Sequence, residues 1–218
     1  MKRFTKTMLL VMIAAVSVLM VAQIAKAGIA TTKHNLASSS SNTIKSNNTD
    51  DICVFCHTPH AGSSAAPLWN RANPTGTFTM YTSPSGTLDM TINAAPLTVS
   101  LACLSCHDGA TAINNVTNAP GSGLSGTAIT MANGVTVMPA GVTNLGTDLS
   151  NDHPISITYN TTLDTAFVAI ANGKVGGLPL YGSKVECASC HDVHGGAAQP
   201  FLRVSNAASA LCLKCHIK

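Results

Sequence analysis

Apolar residues along this 218-residue chain fall in short, scattered groups, with one exception near the start. From Met8 to Ala22 the chain is almost continuously apolar. Lys2, Arg3 and Lys6 precede that stretch, and the small-x-small triplet Ala25-Lys26-Ala27 follows it. This order predicts a secretory signal peptide over residues 1–27, too short and wrongly flanked for a membrane anchor. No cysteine stands near the expected cleavage point, which argues against a lipoprotein. No later stretch is long enough to span a bilayer.

Beyond residue 27 the periodic signal is weak. Gly28 to Asp51 is a Ser/Asn/Thr tract and reads as an irregular arm. Asn73-Pro74 and Ser83-Pro84-Ser85-Gly86 mark turns around a β-like run from Thr77 to Tyr81. The mixture of Gly, Ala, Asn, Thr and Val from Ala110 to Leu149 predicts one or two short hairpins, and Pro154 to Tyr159 a strand. Helical pattern is expected over Leu163–Ala171, with Thr162 as N-cap, and over Ala207–Lys214. No linker divides the chain, so residues 28–218 are expected to form one domain.

Composition explains the weak pattern. Aromatic residues are 4% and charged residues 10% of the chain, and small polar residues dominate. Such a chain builds a poor core unaided. A bound apolar group is needed to supply buried surface, and without it the chain is expected to stay largely unfolded. The net charge of +3 includes four basic residues of the signal segment. Their loss leaves eight basic against nine acidic residues, about −1, and no basic footprint for nucleic acid.

The group is named by four Cys-x-x-Cys-His motifs: Cys53/Cys56/His57, Cys103/Cys106/His107, Cys187/Cys190/His191 and Cys212/Cys215/His216. They use all eight cysteines. This is the attachment spacing of c-type haem, with two thiols for the porphyrin edge and an imidazole for the iron. A lone CxxC also marks redox sites and zinc ribbons, and the last two motifs have ribbon-like separation. Neither a ribbon nor plain disulfides need the repeated His. With 8 His in 218 residues, four chance hits have odds on the order of one in 10⁵ to 10⁶. Four covalently attached haem c groups are therefore expected, and export suits their attachment. The motif starts at 53, 103, 187 and 212 are irregularly spaced, which excludes a solenoid.

Four His remain outside the motifs: His34, His60, His153 and His194. Four haems leave four axial positions, so full bis-His ligation uses every His. Met80, Met90, Met131 and Met138 compete as axial ligands, with gap-filling beside haem faces as the plainer role. His60 and His194 each lie three residues past a motif His. That is too close to reach round their own porphyrin, so each is expected to ligate a haem attached elsewhere and tie haems into close pairs. Pro154 holds His153 extended, and Asp152 either orients an imidazole N–H or is an ordinary turn residue. A six-coordinate iron has no open position, so its natural role is outer-sphere electron transfer. No Lys replaces a motif His, and no catalytic base or nucleophile stands apart from the motifs.

Several segments resemble the outer-surface multihaem cytochromes of metal-reducing bacteria, notably their four-haem members. These are Cys53-Val54-Phe55-Cys56-His57-Thr58-Pro59-His60, Ala66-Pro67-Leu68-Trp69-Asn70-Arg71, Cys187 to Gly195 and Leu211 to His216. The resemblance implies a multihaem cytochrome c fold, mostly irregular coil with short helices and few short strands wrapped around four stacked haems. It implies a secreted, outer-surface protein that self-associates into a filament, takes electrons from partner cytochromes and passes them to minerals or electrodes. In such filaments a His of one subunit ligates a haem of the next, and His34 is the expected residue by its place on the N-terminal arm, from which a haem of its own subunit is equally within reach. Two other functions stay open: a monomeric periplasmic electron shuttle, and a haem reductase with a free distal face.

Overall fold

The computed structural model of the chain describes residues 28–121, 126–196 and 198–217. The signal-peptide expectation for residues 1–27 lies outside them. Among the described residues no helix is long and apolar enough to cross a membrane.

Most of the described backbone is turn and irregular coil. The longest element is helix α1, Thr98–His107, which carries the second motif at its C-terminal end. It starts where Leu97 turns extended and donates its N–H to Ser156 Oγ at 2.9 Å. It stops where Asp108 N–H closes on the Leu104 carbonyl and Gly109 takes φ +66°, the left-handed exit that glycine favours. Helix α2, Cys187–Cys190, is one turn holding the third motif. Its capping box is reversed from the usual one, with Glu186 at the N-cap and Ser189 three residues on.

Five two-residue strands form two sheets. β1, Ile157–Thr158, pairs antiparallel with β5, Lys184–Val185. β2, Ile170–Ala171, β3, Lys174–Val175, and β4, Leu178–Pro179, form a meander. Its turns are Asn172-Gly173 and Gly176-Gly177, all four residues at positive φ. Two-residue turns of that hand match the twist of the flanking strands.

The strand expected over Pro154–Tyr159 therefore exists at its centre. The helix expected over Leu163–Ala171 does not. Asn160 and Asp164 side chains capture the N–H groups of Thr162 and Ala166, which offers the backbone a local alternative to a helix. Val168 then donates to the Cys215 carbonyl, and Ile170–Ala171 joins the meander. Ala207–Lys214 forms two 3-10 turns, Ala207–Ser209 and Cys212–Lys214, and positive φ at Ala208 and Ser209 within the first breaks the expected helix. The hairpins expected between Ala110 and Leu149 are absent among the described residues. Bridges from Ser46 to Met131 and from Thr79 to Asp148 tie that region to distant chain instead.

Buried apolar side chains divide into three small clusters. One holds Met90, Ile157, Tyr159, Val175, Leu178 and Val185. The second holds Phe55, Ile113, Ile129 and Met131, and the third Phe78, Met80, Leu104 and Leu149. The N-terminal arm is irregular but pinned. Leu36 and Ile44 pack on the second cluster, and Asn42 donates to the Thr32 and Asn35 carbonyls.

Candidate haem-binding site

Each motif occupies one helical turn, closed in every case by the same hydrogen bond. The motif His N–H donates to the carbonyl of the first Cys at 2.7 Å for His57, 3.0 Å for His191 and 3.0 Å for His216, and α1 does the same for His107. Residues i, i+3 and i+4 then share a face. The two thiols and the imidazole of each motif are thereby presented together.

The imidazoles are also oriented. His57 Nδ1 lies 3.0 Å from the Pro67 carbonyl, His107 Nδ1 2.7 Å from that of Thr143 and His191 Nδ1 3.0 Å from that of Pro200. A carbonyl only accepts, so Nδ1 carries the proton and Nε2 keeps its lone pair. A metal-binding imidazole needs its other ring N–H held in this way by an acceptor. His153 has the same arrangement on the Pro154 carbonyl at 3.0 Å, so Pro154 rather than Asp152 sets its tautomer. His216 packs its ring on Phe167 at 4.6 Å.

Two of the four remaining His meet motif His. The rings of His57 and His194 stand 5.9 Å apart, centre to centre, and those of His34 and His107 6.0 Å. Two imidazoles bound to one metal through single nitrogens have ring centres about 6 Å apart, given metal–nitrogen distances of about 2.0–2.1 Å. His194 thus reaches the motif His of a different segment. His34 docks inside its own chain, stacked on Phe201 at 4.5 Å. Burial, then the charges of His107, His194 and His191, lower its pKa to about 4, so it is a neutral donor. His60 and His153 are exposed, and among the described residues no ring packs on either. Met80, Met90 and Met131 are buried, one in each of the three clusters, and Met138 Sδ accepts from Thr143 Oγ1.

The thiols are free of disulfides. Burial pushes Cys56 up to about 12 and Cys215 up to about 11, and raises Cys106 and Cys190. They are protonated thiols rather than the low-pKa thiolates of a redox centre. Cys103 and Cys187 are neighbours, and their interaction raises the Cys103 thiol and lowers that of Cys187. Cys56 lies within electrostatic reach of Cys106, and Cys190 within reach of Cys212 and Cys215. The four motifs therefore neighbour one another in chain order. No three His, Cys, Asp or Glu side chains converge to hold a metal ion among the described residues. A cleft of about 540 Å³ opens beside Cys53 and His57, with Val54, Pro59 and Pro120 among its walls. Paired thiols, oriented imidazoles and this partly apolar cleft fit haem.

The first and third motifs are copies of one backbone frame. Thr58 and Asp192 N–H groups donate to the Leu68 and Phe201 carbonyls, and Asn70 and Arg203 N–H groups to those of Cys56 and Cys190. Leu68 and Phe201 both take positive φ, +54° and +62°. Gly62 and Gly196 both pass so close to that residue that a Cβ would stand 2.7 and 2.4 Å from its backbone. The sequence signal was present: Gly62/Gly196 and Pro67/Pro200 repeat along with His60/His194.

The family described as a doubled CXXCH motif matches residues 181–218, the third and fourth motifs. No curated protein matches the chain. The doubled motif indicates covalently bound c-type haem and points to a cytochrome c suited to electron transfer.

Proposed function

We propose that the chain is a four-haem electron-transfer cytochrome with bis-His irons, and that copies of it join head to tail into an extracellular filament. Motif residues Cys53, Cys56, Cys103, Cys106, Cys187, Cys190, Cys212 and Cys215 hold the porphyrins, with His57, His107, His191 and His216 on one face. The observation that carries the reading is the pair of imidazole couples, His57–His194 and His34–His107, at 5.9 and 6.0 Å. Bound haem supplies a one-electron ferric/ferrous couple. His57, His107, His191 and His216 would hold the irons, with His194 and His34 placed to supply second imidazoles beside His57 and His107, and the motifs neighbour one another in chain order.

His60 and His153 complete the ligand set, and their exposure suits donation to a second copy. A heterologous contact of that kind does not close, so it generates a fibre. The electrons would reach minerals or electrodes outside the cell.

Three measurements test this on secreted protein. Mass spectrometry is expected to find four haems, and a spectrum of the reduced protein to show six-coordinate irons that do not bind carbon monoxide. Electron microscopy is expected to show filaments. A small monodisperse particle would leave the shuttle, and carbon monoxide binding would leave the reductase.

A further inference from the structure

Among the described residues Arg71 is the largest fully buried side chain, 0% exposed. Its guanidinium makes four hydrogen bonds, all to neutral oxygens. Nε donates to Ser105 Oγ at 3.0 Å, Nη1 to the Ile113 carbonyl at 2.6 Å, and Nη2 to the Ser105 and Ala112 carbonyls at 2.7 Å each. Among the described residues the only ion pair is Arg203–Asp192, so no carboxylate neutralises Arg71. A guanidinium does not lose its proton in a protein. The charge is therefore permanent, and a buried charge acts at far longer range than one in water.

Its position is specific. The preceding residue, Asn70, donates its N–H to the Cys56 carbonyl, and the guanidinium holds Ser105, which precedes Cys106. Arg71 thus sits between the second cysteines of the first and second motifs. The opposing carboxylate, Asp108, turns toward its own loop, accepting from the N–H groups of Ala110 and Thr111 and from Thr111 Oγ1. Beside the third motif, Arg203 donates to the Ala188 carbonyl but is paired with Asp192 at 3.2 Å and partly exposed.

We propose that Arg71 raises the reduction potential of the haems attached at Cys53/Cys56 and Cys103/Cys106 above that of the haems attached at Cys187/Cys190 and Cys212/Cys215. Reduction of each ferric iron adds one electron and makes or breaks no bond to the chain. The added negative charge is favoured beside Arg71 and is not favoured equally beside the neutralised Arg203–Asp192 pair. Electrons then settle toward the first two motifs. Arg71 is a tuning residue that acts on the iron through space.

The inference rests on the four-haem reading, and its test separates the two. Mass spectrometry first counts haems on the secreted wild type; fewer than four overturns that reading. Potentiometric titration of the same protein, followed by haem absorption, is expected to resolve two groups of equal amplitude. This needs no variant to fold, and a wild type that titrates as one group overturns the Arg71 proposal alone. Arg71→Gln is expected to lower the upper group at least tenfold in ferrous-to-ferric ratio, about 59 mV for a one-electron couple, and to leave the lower group in place. Arg71→Lys keeps the charge and loses the fork, and is expected to stay within threefold of wild type. Ser105→Asp sets a carboxylate against Nε and is expected to act like Arg71→Gln. A purely structural Arg71 would cost thermal stability in all three variants and leave the two groups at their wild-type separation, which overturns the proposal.

Discussion

The segments Cys53–Arg71 and Cys187–Arg203 fold over the same frame and sit in different surroundings. Both send a motif His Nδ1 to a proline carbonyl nine or ten residues on, and both bring a later residue back to the second Cys. In the first segment Phe55, Thr58, Ala65, Asn70 and Arg71 are buried. Asn70 Nδ2 also ties Val54 to Asn118, whose own N–H returns to Asn70 Oδ1. In the third-motif segment Ser189 is the only buried residue among those described, and Asp192 and Arg203 form a half-exposed pair. The local pattern fixes how a thiol pair and an imidazole are presented. The long-range packing decides how much charge and water that presentation meets.

The strongest break removes the thiols. Cys53→Ala with Cys56→Ala, and separately Cys187→Ala with Cys190→Ala, are each expected to lose one haem by mass. Each double variant is also expected to lose at least about 3 kcal/mol, since a buried apolar side chain alone contributes about 1.5–3 kcal/mol. That is roughly a 6–12 °C fall in melting temperature. Loss of two haems from either variant would mean that the frames are not separate attachment units.

Next come the arginines. Arg71→Ala strands Ser105, Ala112 and Ile113 oxygens in a closed interior and is expected to cost about 3–5 kcal/mol. Arg203→Ala removes one hydrogen bond and a part-exposed ion pair, together about 1–2 kcal/mol. Thermal unfolding of the two haem-loaded variants measures the difference, and equal losses would erase the contrast in burial.

The glycines test the shared frame itself. Gly62→Ala and Gly196→Ala each drive a Cβ into rigid backbone and are expected to cost about 1–3 kcal/mol. Gly195→Ala has nothing within 4 Å of the added carbon and is expected to be neutral. Melting curves of the adjacent pair Gly195→Ala and Gly196→Ala give the clearest reading, because composition and exposure scarcely differ.

How much of this was legible in the sequence differs by scale. The motifs and the surplus histidines were plain, because haem attachment demands residue identity at fixed spacing. The coil-rich fold followed from a composition that cannot fill a core. The meander was missed although Asn172-Gly173, a strong hairpin signal, lies inside it. The apparent helical pattern of Leu163–Ala171 outweighed it, and contacts with Cys215 and His216, together with the Asn160 and Asp164 side chains on nearby N–H groups, decide against a helix there. Helix α1 was missed because Thr98, Val99, Ser100 and Ser105 blur its apolar stripe; its buried face includes two serines. The in-chain docking of His34 depends on Phe201 and His107, and no local pattern announces partners that distant.

The finest contrast lies at Leu68 and Phe201, the matched residues at φ +54° and +62°. Neither side chain favours that region, and the left-handed conformation costs roughly 1–2 kcal/mol per non-glycine residue. Leu68 is 55% exposed and buries little. Leu68→Gly therefore relieves strain with small loss of contact, offset in part by the greater freedom of glycine in the unfolded chain, and is expected to stabilise by a few tenths to about 1 kcal/mol. Phe201 stacks on His34 at 4.5 Å, an aromatic contact worth about 0.5–1.5 kcal/mol beyond its buried area. Phe201→Gly gains the same relief and loses the stack, so it is expected to destabilise by about 1 kcal/mol. Opposite signs at matched positions would show one backbone frame serving two environments, the second bearing on the seat of His34. Equal signs would mean that the stack carries no weight and that His34 is held by burial alone.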